Sequence, residues 1–253
     1  MPLPADGCSS NISPREGETK SYYFFMTDLH PQTLWSSHQP VHVWQVALEQ
    51  SDLAEAEAYE LLDAHERQRA RMMVNAEERR MFTITHAQVR QVLAAYVGVP
   101  PQALSYRYGA FGKPRLAEPE AARALAFNIG YAPGVAAVAL TLRSDVGIAL
   151  AWEGDGNPSA QVEAWAWRKA NGHGFASSVA AEKFPMPDWF LAWVDLKSGL
   201  RVGVVASGQA GEVAVGRWRP HSRALVATAM APAVAMPAAA AAAATPQHAI
   251  AAA

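Results

Sequence analysis

Glycine and proline residues divide the middle of the chain, residues 41–218, into short apolar segments of two kinds. Residues 52–73 and 77–97 repeat apolar side chains at helical spacing and predict two helices, and a third is predicted over residues 160–171. Segments rich in β-branched and aromatic residues predict strands, and these lie at residues 41–48, 104–108, 126–129, 135–142, 145–152, 189–196, 200–206 and 212–218. Helices precede strands twice along the chain, which indicates an α+β fold.

Two details of strand pairing are predicted as well. The short break at residues 143–144 predicts a hairpin between the strands on either side of it. The last three strands are predicted to pair antiparallel.

The two ends of the chain differ from this middle part. Residues 1–39 are rich in Pro, Ser, Asn and Gly and show no sustained period, so we expect a largely irregular N-terminal arm. Residues 223–253 are mostly alanine interrupted by proline, which predicts a low-complexity tail rather than a membrane helix. The predicted folded body therefore covers residues 40–222.

The composition narrows the class of protein. Hydrophobic residues make up 51% of the 253 residues and charged residues 17%, as in a globular protein. The formal net charge of −2 argues against a general nucleic-acid binder. The single cysteine, Cys8, excludes an internal disulfide and a thiolate metal cluster, and no charged leader precedes an apolar run at the N-terminus. We expect a cytoplasmic protein that binds neither membrane nor nucleic acid; its oligomeric state is left open.

Three short blocks occur in order: FGKPRL at residues 111–116, FNI at 127–129 and VGI at 146–148, followed by KANGHGF at 169–175. With the flanking segments from about Val41 to Trp218, they resemble the surfactin-type 4′-phosphopantetheinyl transferases. Those enzymes move phosphopantetheine from coenzyme A to a serine of a carrier protein, with a magnesium ion held by acidic side chains. The resemblance implies two similar α/β halves with antiparallel sheets, related by a pseudo-two-fold axis, at about residues 40–134 and 135–222.

The resemblance also implies a coenzyme A site. Arg69 and Lys113 match family cations that bind phosphate groups, which cations do through charge-assisted hydrogen bonds. Lys169 matches the lysine that contacts phosphate and assists proton transfer from the acceptor serine. The family's Ser-His pair is replaced by Gly130-Tyr131, so Tyr131 would stack on the ligand or donate one hydrogen bond. The alternative is that Arg69 and Lys169 are solvated charges, Lys113 a turn residue and Tyr131 a cleft-lip aromatic.

The metal site is where the sequence departs from the family. Two family acids stand two residues apart on one strand, share a face and bind magnesium together with a third acid from a helix. This chain has Ala149, Ala151 and Trp165 at those positions, and none of these side chains carries an oxygen. We therefore expect no magnesium site, with Glu153 as the one candidate ligand of a shifted site.

Three functions remain open at this point. The first is a phosphopantetheinyl-transferase-like pseudoenzyme that binds coenzyme A or a phosphopantetheine arm. It would be an accessory protein of carrier-protein-dependent secondary metabolism, with an acyl or peptidyl carrier protein as partner. The second is an active transferase that uses Glu153 or no metal, and the third is a new activity on acyl-carrier thioesters. His173 lies between two glycines and is a candidate base. Ser177 and Ser178 lack a nucleophile motif, and no HExxH, GxGxxG or Walker sequence occurs.

Overall fold

The computed structural model describes residues 23–25, 41–46, 48, 53–142, 144–154, 158–172, 189–207 and 213–218. In these residues the helices are α1 (Glu55–Leu61), α2 (Ala64–Met72), α3 (Ala76–Val97) and α4 (Pro158–Ala170), with 3₁₀ turns at Pro101–Ala103 and Glu120–Ala124. The strands are β1 (Tyr23–Phe25), β2 (Val41–Val46), β3 (Ser105–Tyr108), β4 (Pro114–Glu118), β5 (Leu125–Ala132), β6 (Val135–Leu142), β7 (Val146–Trp152), β8 (Trp189–Val194), β9 (Leu200–Ser207) and β10 (Val213–Trp218). The predicted α+β class is confirmed; two of the sheets are antiparallel, and the five-stranded sheet contains both antiparallel and parallel pairs.

The strands form three sheets, ordered β1-β10-β2-β6-β5, β3-β4 and β7-β9-β8. Of the two predictions of strand pairing, the first is wrong and the second is confirmed only for β8 and β9, which pair antiparallel. β6 and β7 do not form a hairpin, because they belong to different sheets. β10 leaves β8 and β9 and pairs parallel with both β1 and β2. The predicted division near residue 134 falls between β5 and β6, which are hydrogen-bonded neighbours along their whole length.

The elements stack in four layers: α3, the five-stranded sheet, the sheet β7-β9-β8, and α4. Alternate side chains of β2 point to opposite faces, so that Trp44 packs towards α3 and Val43 packs towards β7 and β9. The outer face of the β7-β9-β8 sheet is covered by α4, through a small cluster of Ala149, Ala151, Val162, Ala166, Ala170 and Val205. Within the described residues, no helix is long and apolar enough to cross a membrane.

Residues 52–73 were predicted as one helix, but the chain bends at Leu62 and Asp63 between α1 and α2. Asp63 accepts a hydrogen bond from the backbone N–H of Glu66, and the Glu66 side chain accepts one from the backbone N–H of Asp63. This reciprocal capping box satisfies two N–H groups that a helix start leaves unpaired. The bend places Glu66 on the buried side of α2, facing α3.

Candidate functional site

A cleft of about 510 Å³ lies between α2 and α3 on one side and the β3–β4 turn and the β5–β6 turn on the other. The four residues implied to bind the cofactor, Arg69, Lys113, Tyr131 and Lys169, all line it. Apolar side chains form much of the remaining wall, among them Met81, Phe82, Phe111, Ile129, Pro133 and Val135. The structure therefore brings together residues that are spread over 100 positions of the sequence.

The two lysines of the cleft are buried, and both amines donate hydrogen bonds to backbone carbonyls. Lys169 Nζ lies 2.9 Å from Ile129 O on β5 and 3.1 Å from Ile148 O on β7. Lys113 Nζ lies 2.9 Å from both Val146 O and Ala170 O. Strands β5 and β7 are edge strands of different sheets, so Lys169 joins two edges that no ladder connects, whereas Lys113 joins β7 to the end of α4.

Burial lowers the pKa of both amines. Loss of water around the ammonium group lowers the pKa of Lys169 from 10.5 to about 8. The same effect lowers the pKa of Lys113 to about 8, although the nearby Asp145 carboxylate acts in the opposite direction. Phosphate contact was predicted for both lysines; in the structure each amine donates to the backbone, that of Lys169 at the seam between the β5 and β7 edges and that of Lys113 between β7 and α4.

Four planar side chains stack along the α2–α3 side of the cleft. The guanidinium carbon of the exposed Arg69 lies 5.1 Å from the centre of the Phe82 ring. Phe82 stacks on His86 with ring centres 4.0 Å apart, and His86 faces Tyr131 at 6.5 Å with an angle of 17° between the rings. The stack presents one fixed cation, Arg69, and two titratable rings to the same space.

A chain of hydrogen bonds leads from the cleft into the protein interior. The Tyr131 hydroxyl lies 3.1 Å from His86 Nε2, and His86 Nδ1 lies 2.8 Å from a Glu66 carboxylate oxygen. The other Glu66 oxygen accepts from Arg90 Nε at 2.6 Å, and Arg90 also donates to Asp63 at 2.8 Å. The guanidinium of Arg90 is fully buried and makes two further bonds, to the carbonyls of Pro101 and Leu104.

The hydrogen-bond partners of Glu66 keep its side chain ionised as a carboxylate. Burial alone would raise the pKa of Glu66, but the hydrogen bond and charge of His86 and the charge of Arg90 outweigh it, and the pKa lies below its usual value. His86, Glu66 and Arg90 were not among the site residues predicted from the sequence. The Asp-x-x-Glu capping pattern at residues 63–66 was the one local signal that could have drawn attention to Glu66.

The three family metal positions lie away from the cleft. Ala149 and Ala151 are buried beneath α4, and the partly buried Trp165 packs against the same cluster. The contact is close at Gly147 of β7, where a Cβ atom would overlap backbone atoms of Ala166 and Ala170. Glu153 is exposed and pairs with Arg201 at 3.2 Å.

Methyl and indole groups supply no ligand oxygen, so the residues present do not fit a magnesium ion. In the described part of the chain, no group of three or more His, Cys, Asp or Glu side chains could hold a metal ion.

Other candidates are placed unevenly. At Gly130 a Cβ atom would overlap the Leu150 side chain, so the serine found in the family would require Leu150 to move. Tyr131 is 41% exposed and stands at the cleft wall. His173, Ser177 and Ser178 lie outside the described residues.

Comparison with known proteins gives one relative of named function. No family model matches the sequence. Over 138 residues the chain is 29% identical to the 4′-phosphopantetheinyl transferase HetI of Nostoc sp. (strain PCC 7120 / SAG 25.82 / UTEX 2576). The match covers 54% of this chain and 57% of HetI, so the chain spans little more than half the length of this curated relative. The likeness supports the predicted relationship to the phosphopantetheinyl transferase superfamily.

Proposed function

We propose that this protein is phosphopantetheinyl-transferase-like, that it binds coenzyme A or a phosphopantetheine arm in the cleft, and that it lacks the magnesium-dependent transfer. One observation carries the proposal. The four implied cofactor residues line a single cleft, whereas the three family metal positions are apolar, two on β7 beneath α4 and one, Trp165, on α4 itself. Binding and metal chemistry are thus separated in this chain.

The cleft has the composition that such a ligand requires. Its volume of about 510 Å³ falls in the range of small-molecule sites, roughly 300–1,000 Å³. Met81, Phe82 and Phe111 offer apolar surface to a pantetheine chain. Arg69 is exposed at the cleft and can form charge-assisted hydrogen bonds with a phosphate group.

The wider role follows from the same resemblance. An accessory protein of carrier-protein-dependent secondary metabolism would work in the cytoplasm and meet an acyl or peptidyl carrier protein. The proposal includes the pseudo-two-fold relation of the two halves. If any transfer remained, Lys169 would contact the phosphate and assist proton transfer from the acceptor serine.

A binding titration with coenzyme A tests the proposal. We expect wild-type protein to bind weakly, around the millimolar range, because no metal bridges the pyrophosphate. Arg69→Gln should weaken binding about tenfold or more through loss of a charge-assisted hydrogen bond, and added salt should weaken it too. Arg67→Gln is the matched control, since Arg67 lies on the same helix but pairs with Glu60. Absence of binding, or equal effects of the two variants, would contradict the proposal.

The second candidate is an active transferase, and the identity to a protein named as a transferase favours it. Incubation with coenzyme A, magnesium and several apo carrier proteins separates the two. Under the first proposal the intact mass of each carrier stays unchanged. A gain of one phosphopantetheine arm would establish the transferase instead, and loss of that gain in Glu153→Ala would locate its metal.

A further inference from the structure

The hydrogen-bonded chain from Tyr131 to Glu66 has a direction that is set by a single proton. Glu66 is a carboxylate and only accepts, so the Nδ1 of His86 must carry a hydrogen and donate it. The state of His86 then depends on Nε2 alone, which faces the Tyr131 hydroxyl at 3.1 Å. At neutral pH the tyrosine hydroxyl keeps its own hydrogen, since an ordinary tyrosine loses it only near pH 10.

The two states of His86 present two different hydroxyl groups to the cleft. When His86 is neutral, the Tyr131 O–H donates to Nε2, and only oxygen lone pairs of Tyr131 face the ligand. When His86 is an imidazolium, Nε2–H donates to the Tyr131 oxygen, and the tyrosine hydrogen is released to point elsewhere. An anion can accept from Tyr131 in the second state and is repelled by its lone pairs in the first.

Charged and aromatic side chains surround the His86 ring. Glu66 on α2 faces Nδ1, and Phe82 on α3 stacks on the ring, where a cation gains from the aromatic face. Arg90 lies on the far side of Glu66, and Arg69 on the far side of Phe82. The cleft is also lined by Glu77, Glu78, Lys113 and Lys169.

We propose that Tyr131, switched by His86 and oriented through Glu66, donates a hydrogen bond to a phosphate group of the cleft ligand, and that ligand binding takes up a proton at His86. The inference rests on the proposed binding of coenzyme A. It assigns Tyr131 and His86 as a specificity pair that responds to charge on the ligand, with Arg69 as the fixed cation beside them.

Calorimetric titration of the full chain with coenzyme A, in buffers of different ionisation enthalpy between pH 6 and 8, measures the protons taken up. In wild type we expect net proton uptake on binding, approaching one proton, and affinity that falls by up to about tenfold per pH unit as pH rises. Tyr131→Phe and His86→Gln should each bind about tenfold more weakly at pH 6. Both should lose the His86 share of the uptake.

Two features make the measurement specific. His65→Gln is the control, because His65 lies exposed on α2 and contacts Tyr108 rather than the cleft stack. Protons taken up by Lys113, Lys169 or the phosphate itself occur in every variant, so the difference between wild type and His86→Gln isolates His86. Glutamine can still donate to Glu66, which protects the fold. Circular dichroism of each variant verifies this.

Dephospho-coenzyme A and 3′,5′-ADP identify the phosphate group concerned. Uptake that persists with dephospho-coenzyme A assigns the pyrophosphate, and uptake that requires the 3′-phosphate assigns that group; both patterns support the inference. If coenzyme A binds but wild type, Tyr131→Phe and His86→Gln take up equal numbers of protons, only the inference is overturned. If coenzyme A does not bind at any pH, the proposed function fails and the inference with it.

Discussion

The α2–α3 side of the cleft buries charged side chains, whereas the β7–α4 contact is an apolar cluster. On the first side a buried carboxylate, Glu66, is held by His86, Arg90 and the backbone of Asp63. In the second layer the strand positions that carry acids in the resembled family are methyl groups beneath a helix. A buried charge persists only with a full set of partners, and only the α2–α3 side supplies one. The proposed ligand cleft and the proposed family metal positions therefore lie in differently built parts of the molecule, one with buried charges and one without.

The largest effect is expected when an acidic residue is introduced on β7. Ala149→Asp would place a carboxylate against Val162 and Ala166, and we expect it to cost about 5 kcal/mol of unfolding free energy at pH 8. Burial raises the pKa of such a carboxyl, so the folded state binds the proton more tightly, and stability should fall as pH rises from 4 to 8. Urea unfolding at several pH values measures this.

Ala160→Asp, on the exposed side of α4, is the matched control and should change stability little. A stable Ala149→Asp protein that binds magnesium would show that the layer can open into a metal site.

Arg90→Met tests the charged side from within. The substitution leaves Glu66 buried without its main cation, and breaking a buried pair in this way costs about 3–4 kcal/mol. Arg67→Met removes an exposed pair with Glu60 and should cost about 1 kcal/mol or less. Denaturant midpoints compare the two variants. Equal losses would mean that the Glu66 network contributes no more than a surface ion pair.

Lys169→Met addresses the seam where the two regions meet. Two carbonyls would lose their donor, and we expect a loss of about 2 kcal/mol at pH 7. The pKa of Lys169 is lowered from 10.5 to about 8, so the unfolded chain binds more protons between these values and stability rises with pH across that window. The methionine variant should lack this rise. A steeper rise in the variant than in wild type would contradict the assignment.

Gly130→Ser is expected to have the smallest effect. Its new side chain meets the Leu150 side chain, which can change rotamer, and about 1 kcal/mol is expected. Gly147→Ser meets backbone of α4 at Ala166 and Ala170 and should cost more. Thermal unfolding of both variants ranks the two contacts. The reverse order would show that the β5 side is packed more tightly than the β7–α4 contact.

Local patterns in the sequence predicted local structure well. β6 lies at the predicted residues because an apolar run is bounded by turn residues on both sides. The pairing of β10 with β2 could not be predicted, since the two strands come from opposite ends of the folded body. Neither strand carries a sequence feature that identifies its partner. The bend at Asp63 was missed because helical periodicity continues through it, although the capping residues mark it.

The site was predictable in the same uneven way. The resemblance, which rests on the order of short sequence blocks, predicted Arg69, Lys113, Tyr131 and Lys169 as cofactor residues. All four line one cleft. The partners of the lysine amines were not predictable, because carbonyls of Ile129 and Ile148 become acceptors only when two sheet edges meet. His86 was missed because its chemistry depends on Glu66, which lies a whole helix away in sequence.

The place of β10 has a consequence for how the protein is made. This strand inserts between β1 and β2, so the sheet that begins near the start of the chain is completed by the last strand of the described fold. During translation β2 is synthesised long before β10. One edge of β2 therefore stays unpaired until β10 has been made. Contacts between such distant segments slow folding. A nascent chain halted before residue 213 would therefore leave the β2 edge unpaired and open to pairing with other chains.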